Sequence, residues 1–180
     1  MLLFAALTLL PAAPAITQQG EAISEAEAVD LAFPKCDVVR AEFVLTKEQH
    51  KEAAKLADTK AVPTKGAYYV ARKKGVVQGR AYVDSRRVRS QVQTLLVVLD
   101  AAGSIRRVEI LVWNEPSRYR PRAAFWKQFE GKKLDGTLRL RRGIRPVTGA
   151  TLSAAAAVDA VRTVLSVHAI LNAANPDGDS

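Results

Sequence analysis

The spacing of hydrophobic positions changes along the chain in an order that predicts an α+β fold. Ser24-Glu25-Ala26-Glu27 has the form of a helix capping box, and the short helix it opens, Ala26 to Phe33, is stopped by Pro34. Val38 to Leu45 alternates as a half-buried strand does. Thr46 with Gln49 makes a second capping box and opens a helix through about Ala57. Glu48, Lys51, Glu52 and Lys55 give that helix a solvated face, with His50 expected among them as a surface residue. Four β-rich runs follow, Tyr68 to Lys73, Gln78 to Asp84, Thr94 to Asp100 and Ile105 to Val112. Lys74-Gly75 and Asp100-Ala101-Ala102-Gly103 read as tight turns between them, so an antiparallel meander is expected rather than βαβ units. The unbroken apolar run Leu95 to Leu99 predicts a strand covered on both faces.

Beyond the strands the pattern changes. Asn114 to Tyr119 is loop-like, and Arg122 to Glu130 reads as a short helix ended by Gly131. Lys132 to Arg145 is a basic connection anchored by Leu134, Leu138 and Leu140. Leu152 to about Ala173 forms the longest helix, with Val158, Val161, Leu165 and Ala169 on one stripe. At the other end, Met1 to Leu10 is apolar except for Thr8, and Ala13-Pro14-Ala15 follows as an A-x-A element, the form of a secretory signal peptide without a basic n-region. The expected organisation is a signal peptide at 1–15, a linker at 16–23, one domain at 24–173 and a flexible polar tail at 174–180. Export to the periplasm or the outer face of the cytoplasmic membrane follows from that reading.

Charge and cysteine content narrow the chemistry. The 27 Lys and Arg against 18 Asp and Glu leave a formal charge of +9 on 180 residues. The cations cluster at Arg86-Arg87-Val88-Arg89, Arg118-Tyr119-Arg120-Pro121-Arg122, Lys132-Lys133 and Arg139 to Arg145. Such clusters attract phosphates, anionic lipid or acidic proteins. No helix-turn-helix, zinc-finger or RNP pattern accompanies them, so a nucleic-acid partner is not expected. Cys36 is the single cysteine, which excludes an intramolecular disulfide, a CxxCH haem site and a paired-cysteine metal site. No nucleophile–base pair or metal cluster argues for hydrolysis.

The segment with the most chemistry is Thr148-Gly149-Ala150-Thr151-Leu152-Ser153, at the head of the longest helix. A helix start leaves about four backbone N–H groups unpaired and carries partial positive charge. Small residues let a ligand approach the backbone and hydroxyls add donors, so this segment can hold a phosphate. Ser and Thr are equally at home as plain helix caps.

Thr-Gly-Ala-Thr-Leu-Ser resembles the S/T-G-A-T-x-S/T motif of the FMN-binding domain family, which includes flavin subunits of sodium-pumping NADH:quinone oxidoreductase and of the Rnf complex. Val88-Arg89, Leu95 to Leu99, Val108-Glu109-Ile110, Asn114-Glu115-Pro116, Phe125 to Phe129 and Val158 to Arg162 also look like the single-domain exported members. The resemblance implies FMN joined by a phosphoester to the second Thr of the motif, here Thr151, by an exported flavin transferase that consumes FAD. It implies backbone access at Gly149 and Ala150, phosphate hydrogen bonds from Thr148 and Ser153, and Glu115 near the isoalloxazine. By residue type and place, Trp113 or Tyr119 could flank the ring, Trp113 being as readily a core aromatic. Covalently flavinylated members carry an aspartate six residues before the acceptor threonine. This chain has Arg145 there, suited either to neutralising a non-covalently held phosphate or to an ordinary surface. Two functions therefore stand: an electron carrier serving a membrane redox complex or another electron-transfer protein, and a flavin-free binding or assembly module acting through its basic surface.

Overall fold

The computed structural model describes residues 24–175. The expected signal peptide, the linker up to residue 23 and residues 176–180 of the tail lie outside the described residues. Helix α1 (Glu25–Ala32) is capped by Ser24, whose Oγ accepts the Glu27 N–H at 3.2 Å. Strand β1 (Asp37–Val44) leads to α2 (Lys47–Ala57), where both arms of the capping box form: Gln49 N–H to Thr46 Oγ1, and Thr46 N–H to Gln49 Oε1. Strands β2 (Lys65–Lys73), β3 (Val76–Val88), β4 (Gln91–Asp100) and β5 (Ile105–Trp113) complete a five-stranded antiparallel sheet ordered as in the chain. The fold is α+β, an antiparallel meander flanked by helices.

The β3–β4 ribbon runs further than the hydrophobic pattern predicted. Its ladder continues through Ser85, Arg86, Arg87 and Val88 to a turn at Arg89, which adopts φ +55°. The polar extension is sustained by local pairing. Ser85 Oγ lies 2.9 Å from Thr94 Oγ1, and Arg86 makes two 2.6 Å hydrogen bonds to the Asp84 carboxylate. Conversely, the helix expected over Arg122 to Glu130 condenses to α3 (Ala123–Trp126) and a 3-10 turn at Lys127–Phe129. Gly131 then takes φ +73°.

The sheet is covered on both faces, as Leu95 to Leu99 required. Leu96 and Val98 join α1 and Phe33 in a small cluster on one face. Leu95, Val97 and Leu99 face the main core, built with α2, α4 (Thr151–Ala174), Phe125, Phe129, Leu138 and Ile144. Helix α4 is buried around most of its circumference rather than along one stripe. Ala169, expected on the buried stripe, is exposed, while Ser153, Arg162, Thr163, Ser166 and His168 are buried. By length and composition α4 would also cross a bilayer; here its apolar surface packs against the sheet and α2.

Buried polar groups on α4 set its position. The Arg162 guanidinium donates to the Ala57 and Leu56 carbonyls (3.0 Å each) at the C-terminal end of α2. It also donates to the Asp135 and Leu138 carbonyls, at 3.0 and 3.3 Å, in the connection before α4. Its positive charge complements the negative end of the α2 dipole. His50 is not a free surface residue: half-buried, its Nε2 lies 3.0 Å from the Val62 carbonyl and ties α2 to the loop leading into β2. His168 Nδ1 lies 3.0 Å from the Tyr82 hydroxyl, and a Cβ on Gly103 (φ +75°) would come within 2.9 Å of His168 Nε2.

Replacing Arg162 by Met leaves up to four carbonyls without their donor, and the expected loss in urea unfolding is on the order of 3–5 kcal/mol. Arg162→Lys should recover only part, because one ammonium cannot span carbonyls on two segments. A loss below about 1 kcal/mol for the Met variant would show that water replaces the clamp. The second expectation concerns pH. Burial, with the Arg80 charge secondary, pulls His168 down to about 4 from an ordinary 6.5. The unfolded chain therefore binds this proton more readily than the folded one. The histidine's contribution is intact above about 6.5 and is lost as pH falls toward 4, to the extent of about 3 kcal/mol. His168→Phe should flatten stability across that window, measured by urea unfolding at successive pH values; an unchanged slope would assign the acid sensitivity elsewhere.

Candidate functional site

The first turn of α4 is open. Its N-cap position is Ala150, and no side chain caps it. Gly149 takes φ +78°, a left-handed conformation that costs glycine little, and a Cβ there would meet nothing within 4 Å. This turn lets the Ala150 N–H donate to the Val147 carbonyl at 3.1 Å, and the first helical bond runs from Ala154 N–H to the Ala150 carbonyl at 2.9 Å. Thr148, Gly149, Thr151 and Leu152 are exposed, whereas Ala150 is buried. Exposed Thr148 and Thr151 thus flank a helix start that no side chain caps.

Ser153 points the other way. It is 1% exposed, and its Oγ donates to the Glu115 carboxylate, 2.8 Å from Oε1 and 3.0 Å from Oε2. The resemblance implied a phosphate ligand at Ser153; the structure commits that hydroxyl to Glu115. Glu115 is itself 6% exposed, so a buried carboxylate sits against the inner side of the α4 N-terminus, where the helix dipole favours negative charge. The pairing joins two residues 38 positions apart and fixes the loop after β5 to the motif.

Gln93 is a buried polar residue that the sequence reading did not single out. It is fully buried on β4, directly opposite Trp113 on β5. Among the described residues, neither Gln93 Oε1 and Nε2 nor Trp113 Nε1 has a hydrogen-bond partner. The available signal was a glutamine in phase with Leu95, Val97 and Leu99 on the core-facing side of the strand. Tyr119, in the 3-10 turn Ser117–Tyr119, contacts two guanidiniums: Arg89 and Arg118 lie 4.8 and 4.7 Å from its ring centroid. The adjoining Arg118 guanidinium lowers its phenol from the ordinary range. Its ring engages both cations.

Beside the motif opens a groove of about 900 Å³, within the roughly 300–1,000 Å³ common for small-molecule sites. Six cations line it, Arg118, Arg120, Arg122, Lys132, Arg142 and Arg145, with no carboxylate among the lining residues and Thr148 at its edge. Three clusters separate in the chain converge here. The backbone holds them in place: the Gln128 side chain grips Arg145 at both its N–H (2.7 Å) and its carbonyl (3.4 Å). Residues 131–132 hydrogen-bond to Ile105 at the start of β5. Asp135 Oδ1 accepts from Thr137 and Leu138, and the Thr137 hydroxyl is the main cause that keeps its carboxyl below the usual range. Among the described residues no cluster of histidine, cysteine and acidic side chains could hold a metal ion.

No protein-family model matches the chain, and no curated protein matches it.

The unpartnered polar atoms at Gln93 yield a stability expectation. Exchanging a buried, unpaired carboxamide for an apolar group of similar size should raise stability, so Gln93→Leu is expected to gain about 1 kcal/mol in urea unfolding. A comparable loss would mean that Gln93 is satisfied by bound water.

Proposed function

We propose that this protein is an FMN-binding electron-transfer domain that seats the FMN phosphate at Thr148–Thr151, beside the basic groove. The observation that carries the reading is the uncapped start of α4, with exposed Thr148 and Thr151, opening next to six cations unrelieved by any carboxylate in the groove. A phosphate monoester brings roughly −1.5 to −2 charges, and outward amides with guanidiniums are the donor set such an anion takes. The groove is also large enough for the rest of a flavin nucleotide. The TGATLS motif and its resemblance to the FMN-binding domain family supply the identity of the nucleotide.

In this reading Arg145 and Arg142 neutralise the phosphate, Thr148 and Thr151 donate hydroxyl hydrogen bonds, and Gly149 keeps the approach to the backbone clear. Glu115, bonded to Ser153, backs the motif from the inner side. Bound FMN would supply one- and two-electron redox chemistry, with the chain providing position and electrostatics. Arg145 favours a phosphate held by charge and hydrogen bonds. A flavin transferase would instead join Thr151 Oγ to the FMN phosphorus, breaking the FAD pyrophosphate and releasing AMP. Electron exchange would be with a membrane redox complex or another electron-transfer protein, outside the cytoplasm if the N-terminal segment directs export.

The alternative, a flavin-free binding or assembly module, draws on one observation. Ser153 and Glu115 already satisfy each other, which leaves the basic groove as a surface for an acidic partner or anionic lipid.

Titration of the purified protein with FMN, followed by flavin fluorescence, separates the two. Saturable quenching is expected, with the flavin released on denaturation, and Arg145→Glu should weaken binding about tenfold or more, as befits a lost charge-assisted hydrogen bond. Co-expression with a flavin transferase and denaturing electrophoresis under ultraviolet light tests the bond itself. A fluorescent band that disappears in Thr151→Ala would assign covalent FMN. A protein that neither quenches FMN nor becomes fluorescent sinks the flavin reading.

A further inference from the structure

A second cavity, of about 630 Å³, lies between the helix-facing side of β1–β3 and the middle of α4. It shares no lining residue with the basic groove. Phe43, Val62, Tyr82 and Val167 give it an apolar, aromatic floor. Its charges nearly cancel: Lys65, Arg86 and Arg87 stand against Asp84 and Asp159, and Arg86 is committed to Asp84 by two 2.6 Å hydrogen bonds. An ionic ligand therefore gains little here, in contrast to the groove.

Two polar groups on α4 face this cavity without partners. Asp159 and Thr163 are one helical turn apart and so share a face. Among the described residues Asp159 makes no ion pair or hydrogen bond; the residue is exposed, and partial desolvation raises its carboxyl above the ordinary range. Thr163 is 1% exposed, and its Oγ1 has no hydrogen-bond partner. A covered hydroxyl left unpaired costs about 1–3 kcal/mol. Threonine in a helix populates two χ1 wells, so a rotation suffices to offer Oγ1 to a molecule in the cavity.

We propose that this cavity is a separate binding site for an uncharged, ring-bearing small molecule with a hydroxyl group. The ring would lie on the Phe43 and Tyr82 side chains. Its hydroxyl would donate to Asp159 and accept from Thr163. Nothing in this assignment depends on flavin.

The test uses 4-propylphenol as probe and the full chain with methyl-labelled valine, followed by NMR. Saturable shifts are expected at the Val62, Val164 and Val167 methyls, and they should be the same in flavin-free wild type and in Thr151→Ala. Thr163→Val keeps the side-chain shape and should weaken the phenol about five- to tenfold, the worth of one hydrogen bond. Ala156→Phe, which fills the cavity from α4, should abolish the shifts. Failure of the wild type to saturate overturns the proposal, as do affinities unchanged in both cavity variants. Displacement of the phenol by FMN also overturns it, because the cavity would then belong to the flavin site. Failure of FMN to bind leaves it untouched.

Discussion

A single guanidinium inside the domain holds together the parts on which everything else rests. Arg162 has its donors aimed at carbonyls of α2 and of the connection that precedes α4. Neither partner segment could easily satisfy those carbonyls itself: Leu56 and Ala57 end a helix, and residues 132–145 form no regular element beyond a single bridge between Leu140 and Ile144. A charged donor buried among neutral acceptors is stable only when all its hydrogen bonds are made together. Position of α4, end of α2 and course of the basic connection are therefore one structural decision. That decision brings Arg142 and Arg145 beside Thr148.

The charge distribution follows from the same scaffold. Six like charges around one groove repel one another, and what keeps them there is backbone pairing rather than neutralisation: the Gln128 grip on Arg145, the Asp135 turn and the bonds of residues 131–132 to β5. A groove held open against its own repulsion gains whenever an anion enters, which is the physical content of the flavin reading. On the inner side of the same helix start, Glu115 already meets the dipole, so an incoming phosphate would take the outer amides and the guanidiniums. The cavity along the middle of α4 has the opposite character, with charges paired and a floor of aromatic and aliphatic side chains. The segment leading into α4 borders one recess and the middle of the helix borders the other, and the two are chemically distinct.

Much of the fold was legible because its signals are local. Capping residues act within one turn, and Ser24, Thr46 and Gln49 mark helix starts that the structure contains. Strand alternation and the unbroken Leu95 to Leu99 run depend only on the two-residue period, and those strands formed a meander. Departures arose where distant contacts override local pattern. β3 extends over Ser85 to Val88 because β4 offers a partner and Asp84 neutralises Arg86. Ala169 is exposed although it lies in the apolar series, since the bodies that surround α4 leave that position uncovered. His50 gains a carbonyl partner from a loop 12 residues on.

For the candidate site, the sequence by itself determined a hydroxyl- and glycine-bearing segment at the head of the longest helix, a glutamate after the last strand, and several clusters of arginine. Those are properties of neighbours in the chain. Only the tertiary structure decided that Thr148 and Thr151 face outward while Ser153 turns inward to Glu115. It likewise decided that cations from three clusters line one groove, and that Gln93 lies opposite Trp113 with no hydrogen-bond partner for either side chain among the described residues. The reason is range. Helix caps and strand periods are set by bonds within a few residues. The rotation of α4 about its axis, by contrast, is set by packing and hydrogen bonds to segments tens of residues away.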